Sequence, residues 1–476
     1  MYDITIIGGG VGGLVTASGA AQFGAKTALV EKAKELGGDC LNFGCVPTKT
    51  LVHTAKIFHH INSCGDLGIN VGQASLDFGK VMDHMRAVQA KIAVHDDPER
   101  FRKMGVDVHF GSGSFKDSRT FTVNGKDLVS KKFLIATGSR PAKLPIPGLD
   151  KVDYLTNETI LKLTELPKSL IVLGAGPIGM EYAQAFARFG SKVTVIEKMG
   201  QILPKEDGEL ADPLEELMKS EGIIIETCIE TQKIEEKNGQ VVVTALCEKD
   251  QCGKSFVADK LLVAIGRAPN IEGLNLDGIG VKTHQRRGIE VDDSLKTSVS
   301  NIFACGDVAG PYPFTHMAEH QAGVVVGNAL FPLVNRKMNK TVVPWATFTD
   351  PELARVGVTE AEAKEKYGDA AVKVYRYDYS SHDRAVIEGA TTGKVKLVCD
   401  TKGKILGAHI LGTEADNLIH EYALAMANGI TVAKISATIH VYPSMGQIVK
   451  RAADQYYREK LFSGPMAAFT RFWFGR

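Results

Sequence analysis

The stretch Ile4-Thr5-Ile6-Ile7-Gly8-Gly9-Gly10-Val11-Gly12-Gly13 decides the fold. Its first four residues read as a buried strand, and Gly8, Gly10 and Gly13 follow at GxGxxG spacing. An Ala-rich helical run then reaches Phe23-Gly24, and a second apolar run, Thr27-Ala28-Leu29-Val30, ends on Glu31. Strand, glycine turn, helix, strand and acid in this order let backbone N–H groups approach a pyrophosphate at the positive end of a helix, while the acid takes a ribose hydroxyl. The same order returns at Leu170-Ile171-Val172-Leu173, with Gly174, Gly176 and Gly179, a helix to Gly190, and Val193-Thr194-Val195-Ile196 ending on Glu197. The chain is thus expected to hold two dinucleotide sites.

Outward from these turns the echo continues. Phe133-Leu134-Ile135-Ala136-Thr137-Gly138 closes the first unit much as Leu262-Val263-Ala264-Ile265-Gly266 closes the second, and Asn124-Gly125 and Asn238-Gly239 each signal a hairpin. The first unit is the longer and contains the pair Cys40 and Cys45 and a helical stretch whose Met85, Val88 and Ile92 read as a buried face. The expected architecture is α/β, with two Rossmann-like dinucleotide-binding domains and a C-terminal α+β domain. The boundaries are 1–147, 148–270, a central segment 271–340 completing the first domain, and 341–476.

Composition narrows the function. Lys+Arg 56 against Asp+Glu 55 leaves a net charge of +1, which gives no basic field for a nucleic acid. No apolar run approaches a membrane span and no signal segment is expected at the start. Eight cysteines are too few for a disulfide-built secreted domain of 476 residues, which favours a reducing cytoplasm. There a close Cys pair usually means chemistry.

The pair sits in Gly37-Gly38-Asp39-Cys40-Leu41-Asn42-Phe43-Gly44-Cys45-Val46-Pro47-Thr48-Lys49. The two cysteines can join only if the chain between them leaves ideal helix, which Gly44 permits. With the glycine motifs, this run resembles the pyridine nucleotide-disulfide oxidoreductases, the flavoenzyme family that includes dihydrolipoamide dehydrogenase, glutathione reductase and mercuric reductase. The resemblance implies FAD on Gly8, Gly10, Gly13 and Glu31, with Thr137, Gly138, Asp307 and Met317 around it. It implies NAD(P)H on Gly174, Gly176, Gly179 and Glu197, with Gly266 and Arg267 matching the family's turn at the end of that domain. Cys40 would be the interchange thiol, Cys45 the charge-transfer thiol, and Lys49 would pair with Glu181 near the flavin. The implied relay runs from nicotinamide through FAD to a redox-active Cys40–Cys45 disulfide, and on to a small electron acceptor, in a homodimer. Glu197 favours NADH over NADPH, and Lys198 blurs that preference.

The chain also leaves the family pattern. Where the disulfide reductases carry His-Pro-Thr-x-x-Glu, it reads Tyr442-Pro443-Ser444-Met445-Gly446-Gln447. A phenol titrates near pH 10 and Gln not at all, so imidazole chemistry suited to a substrate thiol is missing. Mercuric reductases carry Tyr at this place, which suggests a soft metal ion or small oxidant as substrate; yet they end in a vicinal Cys pair, and this chain ends Phe472-Trp473-Phe474-Gly475-Arg476. Dihydrolipoamide dehydrogenase, NADH oxidase and a non-catalytic flavin-binding redox sensor are the alternatives. His440 is expected to lie on a strand and not to take over the missing imidazole's role, and Asp39 to disfavour a Cys40 thiolate unless paired. Cys247 and Cys252 repeat the five-residue spacing on a polar hairpin tip; no metal site is assigned to them. The aromatic tail Phe469–Phe474 is expected to pack on the body or on a partner subunit.

Overall fold

The structure, a computed structural model, describes residues 1–72, 74–463 and 465–475, and the chain divides into two units. The first comprises Met1–Pro167, Ile234–Glu236 and Lys260–Met338; the second comprises Lys168–Lys233, Lys237–Asp259 and Asn339–Arg476.

In the first unit the strand Tyr2–Ile7 pairs in parallel with Thr27–Glu31 on one side and Lys126–Ile135 on the other, so that Ile6 lies between Leu29 and Leu134. Val106–Phe110 and Ile302–Ala304 extend the sheet in parallel at its two sides. The core strands are apolar without alternation because both faces are covered: the helix Val11–Gln22, itself packed on Thr315–Leu330, lies against them, and Phe115, Phe121, Leu274 and Leu276 pack on Ile7, Val30, Phe133 and Ile135. Asn124 and Gly125 both take positive φ, 49° and 76°, and turn Thr120–Val123 back onto Lys126–Ile135.

The helix Phe78–Ala93 corrects one expectation. Its buried face runs through Phe78, Val81, Met82 and Met85, whereas Ile92 is exposed. The apolar period continues in sequence, but its last member, Ile92, reaches solvent.

The second unit repeats the parallel arrangement with Ser169–Leu173, Lys192–Ile196 and Ile224–Glu226. It adds a five-stranded antiparallel sheet in the order Pro344–Thr347, Glu352–Gly357, Ile405–Gly412, Lys394–Asp400, Val372–Asp378. The helices Ala415–Ala427 and Gln447–Phe462 bury Tyr422 and Tyr456 against that sheet. At the C-terminus Phe472, Trp473 and Phe474 are largely exposed, so the tail does not pack on the body.

One buried cation ties the antiparallel sheet to the dinucleotide half of this unit. Lys396 Nζ lies 2.8 Å from Asp207, 2.9 Å from Glu209 and 2.9 Å from Glu360, and Asp207 is the N-cap of the helix Gly208–Ser220. Burial pushes the Glu209 carboxyl up, but hydrogen bonds from Arg376 and Lys396 outweigh it and hold it at about 2; Glu360, bonded by Lys364 and Lys396, is likewise held at about 2. His409 is fully buried, with Nε2 3.0 Å from the Val358 carbonyl. Its Nδ1 has no hydrogen-bond partner among the described residues, and burial drops its pKa to about 4.

Two outcomes follow. Lys396→Ala strands three carboxylates in a largely dry site, and is expected to cost about 3–5 kcal/mol, read as a lower urea midpoint at unchanged slope. An unchanged midpoint would remove Lys396 from the account. Stability should also fall with acidification in two stages, because the unfolded chain binds more protons in each window. The His409 contribution disappears from its ordinary 6.5 down to about 4, and the Glu209 and Glu360 contributions from 4.5 down to about 2. Thermal melting against pH checks this, and a flat profile between neutrality and pH ~4 contradicts the first stage.

Candidate active site

Each glycine turn is built by backbone contact that no side chain tolerates. Gly8 has φ +113°, and a Cβ on Gly13 would stand 1.9 Å from the Gly8 carbonyl oxygen. In the second unit Gly174 has φ 106°, and a Cβ on Gly179 would stand 2.0 Å from the Gly174 oxygen. The helices that follow, Val11–Gln22 and Pro177–Phe189, start at Gly10 and Gly176 with no side-chain cap, so their first N–H groups are left for a ligand. Glu31 accepts from the Gly9 N–H at 2.6 Å and the Ala33 N–H at 2.7 Å; Glu197 accepts from the Ala175 N–H at 2.7 Å and the Met199 N–H at 2.8 Å. These carboxylates are fixed by backbone bonds and keep lone pairs for a ribose hydroxyl. The two cradles fit the pyrophosphates of FAD and of a nicotinamide dinucleotide.

The Cys40 loop packs directly on the first turn. Gly37 donates its N–H to the Gly9 carbonyl at 2.8 Å, and Gly38 takes φ +58° with its Cα close to Gly10. A short helix, Gly38–Asn42, carries Cys40; the chain breaks at Phe43 and Gly44, and Cys45 opens the helix Cys45–Ser63. The break brings the two sulfurs together, and the Cys40 thiol hydrogen-bonds Cys45. Carbonyls released by the break are caught from afar. Gln89 Nε2 donates to the Leu41 and Asn42 carbonyls at 3.1 and 3.0 Å, and Asn157 Nδ2 to the Phe43 carbonyl at 3.3 Å.

Cys45 stands at one helix N-terminus and against another, since its Sγ lies 3.4 Å from the Thr315 hydroxyl at the start of the helix Thr315–Leu330. Two positive helix ends favour a thiolate there. Cys40 is different. The hydrogen bond to Cys45, burial and the Cys45 charge push its pKa well above the thiol range, against the pull of Thr315.

Asp39 is indeed paired: Arg267 Nη2 lies 3.2 Å from its carboxylate. Arg267 also donates to the Ser139 hydroxyl at 2.7 Å, and that hydroxyl donates to Asp307 at 2.5 Å. Burial pushes the Asp307 carboxyl up, opposed by this Ser139 bond and by Arg267. The turn Thr137–Gly138 is locked to Asn270 by the Thr137 hydroxyl to the Asn270 carbonyl at 2.7 Å and by the Asn270 amide to the Thr137 carbonyl at 2.8 Å. Gly266 and Arg267 thus stand with the residues of the first unit, beside Asp307, while Met317 is buried in the Thr315–Leu330 helix. Ser139 and Gln89, and the contacts of Thr315 with Cys45 and of Arg267 with Asp39, were not indicated by any local pattern.

In the second unit Glu181 is buried and accepts from the Phe348 N–H at 2.9 Å. Lys49 lies one turn into the Cys45–Ser63 helix of the first unit. Tyr442 is exposed and donates its hydroxyl to Asp383 at 2.9 Å, and Gln447 opens the helix Gln447–Phe462. The segment around His440 is a loop and not a strand. Its imidazole is turned inward, Nε2 lying 3.2 Å from each carboxylate oxygen of Glu421.

Comparison with known proteins agrees with this geometry. Residues 2–322 match the model of the pyridine nucleotide-disulphide oxidoreductase family, and residues 343–453 match its dimerisation domain. The chain is 35% identical to a mercuric reductase of Lysinibacillus sphaericus over 455 residues, covering 95% of this chain and 82% of that protein. It is 36% identical to a dihydrolipoyl dehydrogenase of Bacillus subtilis, covering 95% of this chain and 97% of that one. Among solved structures, the HOCl-induced flavoprotein disulfide reductase RclA from Escherichia coli aligns with a TM-score of 0.84 at 30% identity, over 95% of this chain and 99% of that one. With glycine cradles for both dinucleotides and a dithiol set on the first of them, the chain belongs to the pyridine nucleotide-disulfide oxidoreductases and is an FAD- and NAD(P)H-dependent flavoprotein disulfide oxidoreductase.

Proposed function

We propose that this enzyme spends NADH on a soft metal ion or a small, strong oxidant, and that a lipoyl or glutathione disulfide is a poor substrate. One observation carries the reading: the phenol at position 442 is committed as a donor to Asp383, and that bond raises its pKa above the usual 10. Neither this group nor the Gln447 amide exchanges a proton with a substrate thiol near neutrality. The likeness to a mercuric reductase, and to a disulfide reductase solved as a Cu(II) complex, supports the same substrate class.

When bound, FAD supplies the two-electron carrier between the nicotinamide and the dithiol. Cys40, Cys45, Lys49, Glu181, Tyr442 and Gln447 form the proposed catalytic set. Cys40 holds the one proton of the reduced pair and Cys45 carries the charge. Oxidation of the pair by the acceptor forms the Cys40–Cys45 bond, releases the Cys40 proton and delivers two electrons. Asp39 sets a negative charge beside Cys40 that disfavours its thiolate, and Arg267 pairs with that charge. Gly8, Gly10, Gly13, Glu31, Thr137, Gly138, Asp307 and Met317 are proposed to hold FAD. Gly174, Gly176, Gly179 and Glu197 are proposed to hold NADH, with Gly266 and Arg267 completing the turn. Preference for NADH is supported by Lys198, which is engaged by Glu230 at 2.5 Å instead of being held for a 2′-phosphate. A homodimer in which Tyr442 of one protomer completes the Cys40 site of the other, working in the cytoplasm, completes the proposal.

A second reading, dihydrolipoamide dehydrogenase, is favoured by the His440–Glu421 pair, an imidazole oriented by a carboxylate as thiol chemistry requires.

A screen of acceptors separates the two readings. Mercuric and cupric ions and hypochlorite are expected to consume NADH faster than lipoamide or glutathione disulfide, NADPH to serve less well, and Cys40→Ser to abolish the activity. Lipoamide turnover that leads the series and vanishes in His440→Gln would establish the second reading instead; oxygen consumption surviving Cys40→Ser would indicate an NADH oxidase.

The proton assignment has its own test. Removing the acceptor in Cys45→Ala should lower the Cys40 pKa toward the ordinary 9.0 and speed its alkylation at neutral pH. Mass-spectrometric alkylation rates against pH read this directly, and an unchanged Cys40 profile would refute the shared proton.

A further inference from the structure

The hairpin tip of the second unit places three ligand atoms together away from the glycine turns. The strands Gln240–Cys247 and Gly253–Ala258 pair in antiparallel register from Val241 opposite Ala258 to Leu246 opposite Gly253, which sets Cys247 and Cys252 across from one another at the turn. The Cys247 N–H bonds the Cys252 carbonyl at 2.9 Å, and the Gln251 N–H bonds the Cys247 carbonyl at 2.9 Å, with Gln251 at φ 57°. The turn folds Asp250 back, its carboxylate accepting the Cys252 N–H at 3.2 Å. As a result one ligand atom each from Cys247, Asp250 and Cys252 lie within 4.8 Å of one another.

We infer that Cys247, Asp250 and Cys252 form a binding site for a soft divalent cation of the zinc class, with three protein ligands and a fourth position open to water. Zn–S bonds of about 2.3 Å in a tetrahedron place two sulfurs roughly 3.8 Å apart, within the span the tip already holds. The cluster is arranged as a protonated version of that site. Both sulfurs lie beside the Asp250 carboxylate, and the two thiol protons are what a cation displaces. Binding is a plain exchange: one M2+ replaces two S–H protons, giving two thiolates and one carboxylate around the metal, net −1, with two protons released and no electrons moved. Lys254, paired with Glu226 at 2.8 Å, lies near enough to feel charge on both sulfurs and offsets the remaining negative charge. Cys247 is buried while Cys252 is exposed, so the ion has an entry path. Two sulfurs and one carboxylate favour zinc-class ions over Mg2+ or Ca2+.

The test uses the full-length holoenzyme under a non-thiol reductant, with Cys40→Ser/Cys45→Ser removing the other dithiol. Zn2+ titrated against a chromophoric chelator should show one site in this protein, with about two protons released per ion near neutrality. Adding Cys252→Ser should abolish that site, and adding Asp250→Asn should weaken it at least tenfold. Circular dichroism of each variant confirms the fold, and Cys252, being exposed, is the position least prone to disturb it. Absence of Zn2+ binding in the Cys40→Ser/Cys45→Ser protein, or binding that survives Cys252→Ser, would overturn the assignment, as would Mg2+ competing equally with Zn2+.

Discussion

Two sulfurs held within hydrogen-bonding distance cannot both be charged, and much of the first unit is arranged around that constraint. The chain must leave helix at Phe43 and Gly44 to bring Cys45 back to Cys40. A broken helix exposes carbonyls, and a buried carbonyl without a donor is costly. Gln89 and Asn157 answer that cost. The position of the single negative charge is then set by dipoles. Cys45 has one helix N-terminus beneath it and Thr315 of another in front of it, whereas Cys40 has a carboxylate for a neighbour. The asymmetry between the two thiols therefore comes from backbone orientation as much as from any side chain.

How much of this was legible in the sequence depends on how far apart the interacting residues lie. The glycine turns were legible because their cause is local: the Gly13 position clashes with a carbonyl five residues earlier, and Gly179 repeats the relation with Gly174. The parallel strands were legible because they lie buried on both faces and read as unbroken apolar runs. The partners of the redox pair were not. Thr315 meets Cys45 across 270 positions, and Arg267 reaches Asp39 from a turn whose sequence suggests only the end of a domain. No periodicity encodes such contacts.

The His440 segment shows a different failure. Ile439-His440-Val441 alternates apolar, polar, apolar and so resembles a strand, but it finds no neighbour to pair with and remains a loop. The alternation of faces survives in reverse: Ile439 and Val441 are 96% and 76% exposed, while His440 turns inward to Glu421. Two apolar side chains directed to solvent beside the exposed Tyr442 make a surface that a dimerisation domain would be expected to cover.

Proton supply is what joins these details to the choice of substrate. Reducing a disulfide creates a thiolate leaving group that must be protonated, and the reverse reaction must remove a proton from a thiol. An imidazole near pH 6.5 is ionised and neutral in comparable amounts at pH 7, whereas an ordinary phenol with a pKa near 10 is ionised in only about one molecule per thousand. Tyr442 lies further still from neutrality because Asp383 accepts its proton-bearing hydroxyl. What the phenol retains is the ability to orient and to donate a hydrogen bond. A metal ion reduced by two electrons releases no thiolate and asks for no proton at that position, and hypochlorite gives up an oxygen that solvent protonates. In the proposed reading the site keeps the electron-transfer half of the family's chemistry and lacks, at positions 442 and 447, its proton-transfer half.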